Sequence, residues 1–524
     1  MACGASHFPD FPANSRIFIF PNRLHPRMPL PILLTLPYIR TVFYQTRSNA
    51  IPRVKFAGCR NLIRIGSFVV LSLALISCGK KLSPKEADQA RLAWNLKTLV
   101  AAYQRAGHAD VKWDADATSA LKEFAHLRLS STKGSSPEDS LEIIRTSSAA
   151  AIGAGCDDPM IRYLDLRFGN DESRSREDLA KGYCQVAHDI EGSPYPGVRK
   201  FYAAARALNQ LYYTYGTNEF SRPEYTELWS HFPADLDSAM QDPTTPGEEI
   251  YEVCTEAFKQ VEGDEKYYQR FYADIEPPLL KNWPHESATW MLESDINYQL
   301  AWFARGGGYA NGISADAWKV FFAKISIADD DMEKAWKLDP TDSRIPSQMI
   351  AIAEAGQKQR PEMEMWFTRA MALNHDNYDA CKKKLHYLYP QWYGSRDDMI
   401  AFGRECVAST NWGGEVPIIL VDAHWDYANY SITDPAEREA YWKQPDVWPD
   451  IKSAYDKFFS LNPGADGIYK NYAWFAYHAE QWQAFNELAP QVRPDDYYYF
   501  GGKDQFDKMV QNAKAQVHPT KAPQ

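Results

Sequence analysis

The chain has 524 residues, with 57 Lys and Arg against 68 Asp and Glu, a formal net charge of -11, and 45% hydrophobic residues. These proportions exclude a collagen-like or wholly disordered chain and allow two to four domains at about 150 residues each. The acidic balance argues against a nucleic-acid partner, whose docking surface needs a basic stripe.

Residues 1–53 carry Pro9, Pro12, Pro21, Pro26, Pro29, Pro31, Pro37 and Pro52 and one acid, Asp10. They are expected to lie upstream of the true translation start, near Val54, or to be disordered. Residues 54–77 read as a signal peptide. Lys55, Arg60 and Arg64 precede the apolar run Ile65 to Ile76, which is shorter than the roughly 20 residues a bilayer span takes. Leu75-Ile76-Ser77-Cys78 resembles the bacterial lipobox. The resemblance implies cleavage before Cys78, lipid (palmitate-type) attachment to its thiol and a linker over 78–83. Gly79 after the cysteine favours the outer membrane, with the body in the periplasm of a bacterial cell envelope. Removing residues 1–77 leaves 48 bases against 67 acids, a net of -19 over 447 residues. Such a body does not bind anionic headgroups by itself, so its membrane contact is the lipid.

From Ser83 on, helix signals dominate and the expected fold is all-α. An N-terminal helical domain over 84–275 begins with Ser83-Pro84-Lys85-Glu86, a cap, a first-turn proline and an N3 acid. The stretches 131–136 and 242–247 read as loops. Glu276-Pro277-Pro278 is expected to stop a helix, with the domain boundary near 285. Over 286–510 the expected architecture is an irregular tetratricopeptide-like α-solenoid. Glu333 to Pro340 aligns with Thr368 to His375 at an offset of 35 residues, sharing an Ala, a Leu three residues on, then Asp or Asn. Phe458 to Pro463 echoes the ending. This resembles tetratricopeptide-type repeats, with a period of about 34 residues. Helices are expected over 346–355, 361–373, 378–388, 395–408, 417–427, 469–479 and 482–488. The aromatic run Asp495 to Gly502 is read as an end plug or a partner-binding tip, and 511–524 as a disordered tail.

Ala301 to Gly306, Trp366 to Ala370 and Tyr389 to Ser395 resemble the bacterial family designated domain of unknown function 4034, over about a quarter of the chain. The resemblance implies a helical-repeat-like fold and brings no activity or catalytic residue with it.

The sequence holds no HExxH, GxSxG, P-loop or EF-hand loop, and neither a metal nor a cofactor is expected. His424 and Asp426, two residues apart, belong to different helix faces. Glu293 and Asp295 beside Trp290 and Trp302 are the acids a glycan hydrolase would use, though one helix points them apart; the alternative is a solvated helix face with Trp in the core. Arg305-Gly306-Gly307-Gly308-Tyr309 is either an anion cradle or a helix connector, with Ser314 capping the next helix. Trp392 and Tyr393 are either an exposed aromatic contact or the filling of a bent loop in which Gly394 turns and Ser395 caps. Binding is therefore assigned to Arg305, Tyr309, Trp392 and Tyr393. Cys156 with Cys184, and Cys381 with Cys406, are the cysteine pairs closest in sequence for disulfides, and buried free thiols are the other reading. The leading expectation is a lipid-anchored, non-catalytic scaffold for another envelope protein or a peptide. A cell-wall glycan or peptide hydrolase using Glu293 and a small-ligand-binding lipoprotein are the alternatives.

Overall fold

The computed structural model describes residues 84–106, 108–127, 137–169, 174–261, 263–308, 310–465 and 467–517. The leader, the signal peptide, Cys78, the loop 131–136 and Tyr309 lie outside the described residues. Among the described residues all regular structure is helical, and no helix is long and apolar enough to cross a membrane. The chain divides into two compact units between Leu292 and Glu293.

The first unit holds α1 (Pro84–Thr98), α2 (Val100–Ala106), α3 (Asp114–Leu127), α4 (Pro137–Gly153), α5 (Pro159–Phe168), α6 (Arg176–Glu191), α7 (Gly197–Tyr215), α8 (Pro223–Met240), α9 (Gly247–Gln260), α10 (Glu265–Asn282) and the start of α11 (Ser287–Arg305). Successive helices pack as neighbours, α3 on α4 and α6 on α7 on α8. Their starts are fixed by side-chain oxygens that take up free amides: Asp158 accepts from Met160 and Ile161, and Ser175 with Asp178 forms a capping box. Two buried arginines tie α1 to the rest. Arg91 pairs with Glu249 at 3.0 Å and Glu252 at 2.7 Å, and Arg199 donates to Asn95 and Thr98.

One expectation fails here. Pro277 and Pro278 do not end a helix; α10 runs through both. The carbonyls they deprive of a partner are those of Ala273 and Asp274, both on exposed residues where water can take the bond. Ile275 and Leu279 meanwhile stay buried and hold the helix against its neighbours. The division of the chain falls inside α11 rather than in the 276–285 connector.

The second unit continues with α12 (Ala315–Leu338), α13 (Arg344–Ala355), α14 (Arg360–Leu373), α15 (Tyr378–Tyr387), α16 (Arg396–Ala408), α17 (Ile419–Tyr430), α18 (Pro435–Trp442), α19 (Val447–Leu461), α20 (Tyr469–His478), α21 (Trp482–Leu488) and α22 (Lys503–Val517). The repeat seen in the sequence is a repeat of geometry. Helices α12, α14 and α19 each end on an Asp or Asn outside the helical region whose amide bonds four residues back: Asp339 to Ala335, Asn374 to Ala370, Asn462 to Phe458. Ala335 and Ala370 are fully buried, as close helix packing requires. The α13–α14 and α20–α21 turns also match. Gln357 and Glu480 take positive φ, and the next amide reaches Ala353 or Ala476. This arrangement fits the expected helical-repeat solenoid.

The aromatic run is a short 3-10 helix, Pro494–Phe500, tied to α20 by Asp496 on Lys470 at 2.7 Å and to α22 by Phe500 and Tyr497 on Phe506. The expected disordered tail is corrected over 511–517. These residues complete α22, because Phe506, Met509 and Ala513 recur at helical spacing and are buried.

Gly403 shows how tightly the helices approach. A Cβ there would lie 2.7 Å from Leu420 Cα and 2.8 Å from its Cδ1. Gly403→Ala is expected to destabilise the second unit by about 1–3 kcal/mol through overpacking of α16 on α17. Urea unfolding followed by tryptophan fluorescence measures it, and an unchanged transition would contradict the packing.

Candidate functional site

Three helices of the second unit run side by side in the same direction. Asn377 Nδ2 donates to Ser347 Oγ at 2.9 Å and His386 Nδ1 pairs with Glu354 at 2.7 Å, so α15 rises along α13. The Tyr378 hydroxyl donates to Asp422, and Lys382 Nζ lies 3.0 Å from Asp426 and 3.5 Å from Asp422, so α17 rises along α15. Two of them contribute a stripe at four-residue spacing, Tyr378, Lys382 and His386 from α15 and Asp422, Asp426 and Tyr430 from α17, while α13 brings Ser347 and Glu354. α11 adds Asp295, Tyr298, Trp302 and Arg305 at spacings of 3, 4 and 3, again one face.

The stripes meet in a row of rings. Arg305 lies over Trp302 and Trp318 at 5.5 and 5.2 Å. Trp302 meets Trp392 edge-on at 6.4 Å. Trp392 lies 5.8 Å from the His386 ring, which is 4.7 Å from Tyr389, itself stacked on Tyr430 at 5.9 Å. Tyr393 stacks on Tyr387 at 4.7 Å and donates to the Glu354 carbonyl at 3.1 Å. Three of the four residues assigned to binding from the sequence, Arg305, Trp392 and Tyr393, thus border one surface.

On that surface the His386 side chain is 46% exposed and the Lys382 side chain 25%. Burial pushes the Lys382 ammonium down, but Asp422 and Asp426 outweigh it and hold it above the ordinary lysine range. Burial and the charge of Asp426 keep the Asp422 carboxyl above its usual range, against the pull of Lys382. Burial, then Glu354 and Tyr387, push the Tyr393 phenol up to about 12. His386 is lowered by burial and raised further by Glu354, ending above its ordinary value.

Trp392 and Tyr393 also fill a bent loop, as the structural alternative expected. Gly394 turns where a Cβ would meet the Leu388 carbonyl at 2.3 Å, and Ser395 caps α16 by accepting from Asp398. In the Arg305 loop, Nη1 donates to the carbonyls of Gly306 and Gly308 at 3.0 and 3.2 Å, so the loop turns oxygens, not amides, toward the guanidinium. Ser314 caps α12 through the Ala317 amide. Glu293 is only 4% exposed and lies about 200° around α11 from Asp295. The two acids thus point apart on one helix, as their spacing suggests. His424 is fully buried between the Tyr441 hydroxyl and Asp450, a core arrangement apart from the groove.

All five described cysteines are free thiols, so neither Cys156–Cys184 nor Cys381–Cys406 is bridged in this structure; burial first and then the neighbouring Cys381 push the Cys406 thiol up. Among the described residues no group of three or more His, Cys, Asp or Glu is placed to hold a metal ion. A shallow depression of about 370 Å³ opens beside Tyr378, lined by Asn374, Asp376, Asp379 and Glu415.

Sequence reasoning missed Lys382, His386, Asp422 and Glu354, and weighed Asp426 only beside His424. The signal was there in the i, i+4, i+8 spacing of polar residues on neighbouring helices, but which stripes face each other is set by packing. In comparison with known proteins, no family model matches the chain and no curated protein matches it.

The His386–Glu354 pair makes a pH-dependent contribution of definite sign. Because the folded His386 lies above its ordinary 6.5, the pair stabilises fully below that value and the contribution fades as pH rises through the raised one. Glu354→Gln is expected to drop the His386 titration below 6.5, since burial alone lowers it. Histidine NMR titration checks this; an unmoved midpoint would refute the pairing.

Proposed function

We propose that this protein is a non-catalytic helical-repeat scaffold that binds an extended peptide or a segment of another envelope protein along the groove over α13, α15 and α17. The observation that carries the reading is the parallel row of first helices with exposed rings beside partly exposed, mutually paired charges: Tyr393 at 39% and Tyr430 at 49% exposure on the surface that carries Lys382, Asp422 and His386. Rigid aromatic side chains around desolvated polar groups are what peptide-binding hot spots are made of. In this reading the ionic groups of the groove act by recognition. Lys382, His386 and Asp422 are each engaged by another side chain, and none is poised as a nucleophile.

The groove belongs to a protein held at a bacterial envelope membrane by lipid on Cys78, with its acidic body in the periplasm. Support for that comes from the basic, apolar and Leu75-Ile76-Ser77-Cys78 sequence order and from the net charge of the chain beyond it. No cofactor is needed.

The test is an array of random nonapeptides probed with the whole chain. A defined set of peptides is expected to bind. Trp392→Ala and Tyr430→Ala should each weaken that set about tenfold, roughly 1.4 kcal/mol, with circular dichroism unchanged. Binding that ignores both substitutions would overturn the groove. Metabolic labelling with a fatty-acid analogue, lost in Cys78→Ala, tests the anchor separately.

A further inference from the structure

Arg305 closes the aromatic row at its α11 end, and its electrostatic surroundings differ from those of neighbouring arginines. Arg344, Arg360, Arg396 and Arg404 each bond an Asp carboxylate. Arg305 pairs with no carboxylate among the described residues. Burial alone sets its ionisation, and it pushes the guanidinium down. Nη1 is spent on two glycine carbonyls, Nε is enclosed without a partner, and Nη2 makes no bond within the described residues. Its Cζ lies 5.5 Å from the Trp302 ring centroid and 5.2 Å from that of Trp318. Beside it the backbone is open: a Cβ at Gly306 or Gly307 would meet nothing within 4 Å.

A half-buried cation in an acidic chain has lost water without gaining a counter-charge, which is costly unless an anion completes it. A guanidinium is planar, and its fork of donors matches a planar carboxylate with two parallel N–H bonds. We propose that Arg305, held between Trp302 and Trp318, is the anchor for the C-terminal carboxylate of the bound peptide, whose preceding residues run past Trp392 toward His386 and Lys382. This inference rests on the groove reading and gives it a polarity, with the peptide's end at α11. The sequence suggested that backbone amides of the glycine loop would hold an anion; here the side chain does so, and the loop carbonyls orient it.

The anchor is tested without knowing the peptide. The whole chain carrying isotope-labelled arginine is titrated with N-acetylglycine and with N-acetylglycinamide, and the Arg305 Nε–H resonance is assigned by its loss in Arg305→Lys. The resonance is expected to move with the acid and stay with the amide. Array peptides that bind the groove should lose about tenfold on amidation, a loss absent in Arg305→Met. No movement with N-acetylglycine, or equal movement with acid and amide, overturns the anchor. Peptide binding sensitive to Tyr430→Ala with a silent Arg305 leaves the scaffold standing and removes the anchor. An Arg305 response to the acid with no peptide signal does the reverse.

Discussion

The arrangement of the second unit depends on one ammonium. Asp422 and Asp426 stand four residues apart on α17, where like charges on one helix face repel. Lys382 from α15 lies within 3.5 Å of both and turns that repulsion into a clamp between helices. The clamp also fixes register. Rotating α15 by one residue swings its stripe about 100°, which would separate Tyr378 from Asp422 and His386 from Glu354 together. Ion pairs of this kind are poor sources of net stability, since apolar replacements of similar volume often do as well or better. What the clamp does provide is alignment: it holds α15 and α17 side by side in one register.

Alignment brings these charges together, and the protein around them sets how strongly they interact. A charge on an open helix face is screened by water, whereas one partly enclosed by protein interacts through a lower effective dielectric. His386 shows the balance: nearly half exposed, it is still governed first by burial and then by Glu354. The same surroundings make an incoming polar group interact more strongly with Lys382 or His386 than it would on a convex surface, provided that it brings matching hydrogen bonds.

The helical class and most of the C-terminal elements were legible because their signals are local. Ser395 with Asp398, Ser314 before α12 and the buried Ala335 and Ala370 act within one turn or one hairpin, and a single sequence carries that information in full. Pro277 and Pro278 misled because proline is a local veto that tertiary burial overrode: Ile275 and Leu279 hold α10 together across them. The tail misled for the same reason, since the polar look of 511–517 hides the Phe506, Met509, Ala513 stripe that docks α22. Arg305, Trp392 and Tyr393 were found through composition, as bulky or charged residues beside glycines. The paired charges beside them were not. Lys382 and Asp426 are 44 positions apart and look like ordinary surface charges until two hairpins stack.

Arg305 stands at one end of the aromatic row. Within the groove, Lys382 answers Asp422 and Asp426, Glu354 answers His386, and Tyr378 answers Asp422. A surface whose charges are mutually satisfied can select a ligand by shape and by rings, but it gives that ligand no preferred direction. Direction needs one group left incomplete at one end. Arg305 has the position, at the close of the row Trp302–Trp392–His386, and it has an unfilled guanidinium edge. A row of paired charges ending in an unpaired cation is therefore polar along its length, and polarity is what separates a groove that recognises the end of a chain from one that merely holds any extended segment.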